Sequence, residues 1–178
     1  MVFAYLLNEA NGLGLLSAKA SPVTRKGPIM THSRTAATTT ANETETNRQV
    51  VADAFRTWEQ GTYVFGELLS EDVVWTIHGT GPAAGVYTDM TTFVEQAAKP
   101  VTSRLASPLL PKVHHIWAEG DTVIIRWDGS ASTTGGGIYE NQFLWIFKMK
   151  DGLVTEAEAF LDLRAYDALV ADNEPRAE

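Results

Sequence analysis

Three observations in the sequence predict an α+β domain in which helices cover one face of a curved, mostly antiparallel sheet. Helical spacing of apolar residues dominates the stretch between Asn47 and Lys99. Four long stretches of strand character follow, between Pro111 and Leu161. The segments between them, Glu119-Gly-Asp121, Thr133 to Gly137 and Lys150-Asp-Gly152, are rich in the Gly and Asp that tight hairpins need.

The elements can be justified in order. Val50, Val51, Ala54, Phe55 and Trp58 recur at three-and-four spacing, with Thr44 and Thr46 as caps and Gly61 as a stop, and predict the first helix. Tyr63 to Leu69 is a short second helical piece, and Val73 to Ile77 is β-branched and aromatic, as a strand requires. The run His78-Gly-Thr-Gly-Pro82 is a loop. Thr88 or Asp89 caps a third helix with Phe93, Val94 and Ala97 inward, and Pro100 ends it. Strands are expected at Pro111 to Ala118, Thr122 to Ala131, Ile138 to Met149 and Leu153 to Leu161, and a last helix at Leu163 to Val170.

Composition narrows the function. The 178 residues include no Cys, which excludes a disulfide framework, a thiolate nucleophile and a cysteine-ligated metal, and favours a cytoplasmic reading over an oxidising compartment. A net charge of −8 repels phosphate backbones and anionic lipid, so neither nucleic acid nor a membrane is an expected partner. Met1 to Asn42 carry Lys19, Arg25, Lys26 and Arg34 against Glu9 alone and read as a poorly ordered extension, with the domain running from Glu43 to Glu178. Val2 to Leu7 and Leu13 to Ala20 are apolar, but no positive charge precedes them and Asn8, Glu9 and Asn11 interrupt them, so a secretory leader is not expected.

Alternation across Ile138 to Met149 puts Tyr139, Asn141, Phe143, Trp145 and Phe147 on one face. Four aromatics and one amide match either the lining of a ligand pocket or a plain core in which Asn141 satisfies backbone groups. Trp75, Phe55 and Trp58 are expected to face this row. On Leu153 to Leu161 the same rule groups Val154, Glu156, Glu158 and Phe160, so Glu158 is a candidate acid–base group if that face looks inward and a surface charge if it does not. Asp162 is a helix cap or a catalytic carboxylate, and His78 a loop imidazole able to exchange a proton near neutral pH. His114 and His115, as strand neighbours, are expected on opposite faces, where they cannot share a metal, and no metal or cofactor is expected. Arg126 and Asp128 share a face and predict a local ion pair. Leu144 and Ile146, opposite the aromatic row, predict a homodimer formed through the sheet.

The leading helix together with VVWTIHGTGPAAGVY (Val73 to Tyr87), AEGDTVIIRWDG (Ala118 to Gly129) and YENQFLWIFKMKDGLVTEAEAFLD (Tyr139 to Asp162) resembles the SnoaL-like, ketosteroid isomerase-related branch of the nuclear transport factor 2-like superfamily. The resemblance spans about Asn47 to Leu169. It implies a cone-shaped fold, N-terminal helices on a strongly curved sheet around an apolar pocket, commonly as a homodimer. It implies a cofactor-independent acid–base enzyme of isomerase or cyclase type acting on a hydrophobic, oxygenated small molecule such as a polyketide, steroid or terpenoid. A non-catalytic binding domain and an epoxide hydrolase-like enzyme are the alternatives. Glu158, His78 and Asp162 are the groups that match the cyclase pattern. Where a ketosteroid isomerase places its base, this chain has Thr76, Ile77 and His78; of the Asp-Arg-Asp set of the epoxide hydrolases it shows Arg126 and Asp128. In the leading reading Tyr139 and Asn141 hold the enolate oxygen while Phe143, Trp145, Trp75, Phe55 and Trp58 line the pocket.

Overall fold

In the computed structural model, which describes residues 32–177, five α-helices and one turn of π-helix pack against one six-stranded sheet. Helix α1 (His32–Glu59) is followed by α2 (Phe65–Leu68), β1 (Leu69–Ile77) and β2 (Gly85–Tyr87). Next come α3 (Met90–Phe93), the π-turn Val94–Ala98 and α4 (Lys99–Thr102). The long strands β3 (Leu110–Glu119), β4 (Thr122–Ser132), β5 (Ile138–Lys150) and β6 (Leu153–Leu161) lead to α5 (Leu163–Asp172). The spatial order is β2-β1-β6-β5-β4-β3; only β1 and β6 are parallel, and the other pairs are antiparallel.

Local chemistry explains most boundaries. Gly61, at φ +94°, closes α1 in a conformation that a side chain resists. Asp89 caps α3 by accepting the Thr92 amide at 2.7 Å, and Asp162 caps α5 by accepting the amides of Arg164 and Ala165. Pro100 does not end the third helix as expected. It sits in the first turn of α4, just after the π-turn, where a missing amide proton costs nothing. Helix α1 spans His32–Glu59, reaching ahead of the expected helix start at Asn47 and of the expected domain start at Glu43, and its apolar C-terminal half carries the packing. Thr44 and Thr46 are therefore interior to the helix; Thr44 Oγ1 accepts the Gly120 amide at 2.8 Å and clasps the β3–β4 turn. Residues 1–31 of the expected extension lie outside the described residues.

One face of the sheet is covered. Val51, Phe55 and Trp58 of α1 lie with Phe65, Trp75, Phe93, Trp127, Phe143, Trp145 and Phe147 in a continuous buried cluster. Each such side chain contributes roughly 1.5–3 kcal/mol on burial. A second cluster joins Tyr139, Val101, Leu105, Ala131, Tyr166 and Leu169 at the α5 end. No described helix is long and apolar enough to cross a membrane.

Candidate functional site

The aromatic row of β5 faces inward as its alternation requires: Tyr139, Asn141, Phe143, Trp145 and Phe147 are all buried. Across the interior the rings meet. Trp145 lies 5.0 Å from Trp75, 5.9 Å from Phe55 and 6.2 Å from Trp58 between ring centroids, so these side chains pack as core. The interior indole N–H groups of Trp75 and Trp127 are buried without a hydrogen-bond partner.

Asn141 is saturated. Its Nδ2 donates to the Tyr139 hydroxyl at 2.8 Å and to the Asp162 carbonyl at 2.9 Å, while Oδ1 accepts the amides of Gln142 and Asp162. An amide with two donations and two acceptances has nothing left for a ligand. Asn141 is therefore a pin between β5 and the β6–α5 junction, not an enolate-holding group, and burial pushes its neighbour Tyr139 up to about 12.

Glu158 does not enter the interior. The strand irregularity that moves pairing from Lys148↔Glu156 to Met149↔Val154 leaves Thr155 as an extra residue and reverses the parity of β6. Val154, Ala157 and Ala159 consequently face in, and Glu156, Glu158 and Phe160 face out. A similar irregularity between Val113 and His115 turns both His114 and His115 to the exposed side, correcting the expectation of opposite faces. His114 bonds Asp128 at 2.6 Å and His115 stacks on Trp117.

On the outer face two catalytic candidates are brought together. His78 follows β1, its amide donating to the Ala159 carbonyl at 3.0 Å, and its Nε2 lies 2.8 Å from Glu158 Oε2. The His78 ring stacks on Phe160, 4.5 Å between centroids and 9° from coplanar. Phe160 in turn lines a groove of about 760 Å³ that crosses β3 to β6. Leu110, Leu144, Phe160 and Leu161 form its apolar wall, and Lys112, Arg126, Asp128, Glu140, Gln142 and Asp162 supply polar groups. Asp162 is engaged as a helix cap, so it stands at the groove as a structural group.

The Arg126–Asp128 pair forms as expected, Nη1 to Oδ1 at 2.5 Å. Arg126 and His114 together hold the Asp128 carboxyl below the usual carboxylate range, Arg126 contributing most. No second carboxylate pairs with Arg126 among the described residues, so the water-holding set of an epoxide hydrolase is incomplete. The His–Glu pair was missed at the sequence level because it needs both the parallel register of β1 with β6 and the Thr155 irregularity, neither of which alternation reveals.

Comparison with known proteins fits this architecture. A family model described as a SnoaL-like domain matches residues 51–157. No curated protein matches the chain significantly. Among solved structures, Bal32a from a soil-derived mobile gene cassette is 22% identical, with TM-score 0.59, covering 71% of this chain and 98% of its own. A protein assigned as a SnoaL-like polyketide cyclase from Jannaschia sp. CCS1 is 17% identical, with TM-score 0.58, over 74% of this chain and 96% of its own. TerC, co-crystallised with polyporic acid, is 19% identical, with TM-score 0.56, over 71% and 98%. At these identities the likeness establishes the fold, the α+β arrangement with its curled, unclosed sheet.

Proposed function

Because this chain belongs to the SnoaL-like domain family, we propose that it moves a proton next to a carbonyl of a hydrophobic, oxygenated small molecule, without a cofactor, as an isomerase or cyclase does. The observation that carries the reading is the His78–Glu158 pair at 2.8 Å beside the groove wall. Glu158 fixes the imidazole through Nε2 and stabilises it once protonated, leaving Nδ1, which has no described partner, to take the proton. The stacked Phe160 ring holds the imidazole plane and also forms part of the substrate surface. TerC, co-crystallised with polyporic acid, and the Jannaschia protein assigned as a cyclase favour an oxygenated substrate of polyketide type. A chain with no cysteine fits a cytoplasmic site of action.

The homodimer belongs to the same proposal. Trp117, Ile124 and Ile146 occupy neighbouring positions across β3, β4 and β5 on the outer face. A second copy laid there covers them, with Glu158, the strand neighbour of Ile146, at the edge of the seam.

A binding role without catalysis is the second reading, favoured by the interior. Its buried polar residues, Asn47, Thr133 and Asn141, include no acid or imidazole. The two readings separate on incubating the protein with a panel of hydrophobic ketones in heavy water and following deuterium uptake beside the carbonyl by NMR. Catalysed uptake supports the proton-transfer reading; ligand binding without uptake on any compound supports the second.

A further inference from the structure

We infer that α3 is a lid over the interior, with Phe93 as its plug, and that it admits an uncharged aromatic molecule carrying one hydrogen-bond acceptor. The inference rests on the second reading, in which the interior binds a ligand, and adds the entrance and the class of ligand. Phe93 is the buried residue of α3, and its ring lies on Trp75, 4.1 Å between centroids and 18° from coplanar. The segment that carries it is anchored unequally. From the end of the π-turn onward it is tied to α5: the Tyr166 hydroxyl donates to the Ala97 carbonyl at 2.9 Å, and Arg104 donates to the carbonyls of Pro100, Val170 and Asn173. Ahead of that point the described side-chain hydrogen bonds are local, Asp89 with Thr92 and Glu95 with Lys99. A helix of four residues has little stability of its own, so α3 is held down chiefly by Phe93. The π-turn interrupts the helical ladder where the free half meets the fixed half, which makes it the hinge.

The space that Phe93 vacates sets the chemistry of what replaces it. The rings it meets are Phe65 at 6.0 Å, Trp75 and Tyr87 at 6.3 Å, none of them charged. The Tyr87 hydroxyl is committed to the Ala83 carbonyl at 2.8 Å. Trp75 is 1% exposed, and its indole N–H has no partner among the described residues. A buried donor left unpaired costs stability that an entering oxygen recovers. Apolar rings with one neutral donor suit a ketone or quinone oxygen and reject a carboxylate. The charges on the lid, Asp89 and Glu95 against Lys99, repel an anion as well.

The lid is tested by hydrogen exchange of the full chain. The hydrogen-bonded amides of Phe93 and Val94 should exchange about tenfold or more faster than those of Ser103 and Arg104, beyond the hinge. Equal rates on the two sides overturn the lid. The ligand class is tested with 2-acetylnaphthalene and 2-ethylnaphthalene, which differ by a carbonyl in place of a methylene and are both larger than the Phe93 ring. Wild type should bind the ketone about fivefold more tightly and shift the indole N–H signal that Trp75→Phe removes; Trp75→Phe should bind the two alike. Phe93→Ala should bind both about tenfold more tightly than wild type, because the plug no longer competes. Phe55→Ala, an equal truncation among Trp58, Trp127 and Trp145, should gain no more than about twofold. Circular dichroism verifies folding, and Phe93→Leu, with a gain in the same direction, decides if Phe93→Ala does not fold. No gain on unplugging, or an equal gain in Phe55→Ala, overturns the plug, and equal wild-type affinity for both probes overturns the acceptor class. Fast exchange at Phe93 with neither probe bound by any variant would sink the binding reading and the lid's role with it. His78→Ala should leave every affinity unchanged, which keeps this test separate from proton transfer.

Discussion

Replacing Asn141 by Ala removes two donations and two acceptances in one step: those to the Tyr139 hydroxyl and Asp162 carbonyl, and those from the Gln142 and Asp162 amides. Asn141 is 5% exposed, so little water replaces them. A hydrogen bond contributes about 1 kcal/mol net, and a buried group left without a partner costs about 1–3 kcal/mol. The Asp162 amide and carbonyl lie at the junction with α5 and regain solvent in part, which puts the expected loss at about 3 kcal/mol. For a folded unit of this size that corresponds to a fall in Tm of about 10 °C. The assay is urea unfolding followed by tryptophan fluorescence, with the slope compared as well as the midpoint. A loss below about 1 kcal/mol with an unchanged slope would refute the account of Asn141 as a saturated pin and return it to the list of ligand-binding groups.

Three further outcomes are expected. Trp145→Ala should cost about 3–5 kcal/mol by equilibrium unfolding, because the ring contacts Phe55, Trp58, Phe65, Trp75, Trp127, Phe143 and Phe147 and its removal opens a cavity among them. The depressed pKa of Asp128 means that its ionised form stabilises the fold above the ordinary carboxylate range, and that this contribution is lost as pH falls through the folded value. The Tm difference between wild type and Asp128→Asn should accordingly be present at neutral pH and close on acidification. Ile146→Lys should convert a dimer to a monomer in light scattering with little change in Tm, since Ile146 is on the outer face.

The parts of the fold that could be read in advance are those where pattern and packing agree. β5 alternates over its whole length because its pairing with β4 runs without a break from Ile138 to Lys148, so parity at Tyr139 predicts parity at Phe147. Asp162 was legible as a cap because the residue type and its place before Leu163 suffice. Parity fails where one residue is inserted. Thr155 and His114 each reverse a strand face, and neither the β-branched Thr nor a His pair marks a bulge, which is set by how the strand pairs with its neighbour and not by residue type. β2 has three residues and is held by pairing with β1, leaving no period to detect. The His78–Glu158 contact depends on the parallel register of β1 with β6, a long-range fact that no local pattern encodes.

The central claim is that His78 and Glu158 act together on a proton, and the direct measurement is the rate of deuterium uptake by one responsive ketone in four proteins side by side. Relative to wild type, His78→Ala should lose about 10²–10⁴-fold, the usual worth of a positioned acid–base group. Glu158→Gln should lose a large part of the same factor, and the double variant no more than His78→Ala alone, because a pair acting as a unit is not additive. Glu156→Gln, one outward position earlier on β6, should retain the wild-type rate. Full activity in His78→Ala, or equal losses in Glu158→Gln and Glu156→Gln, would contradict the account.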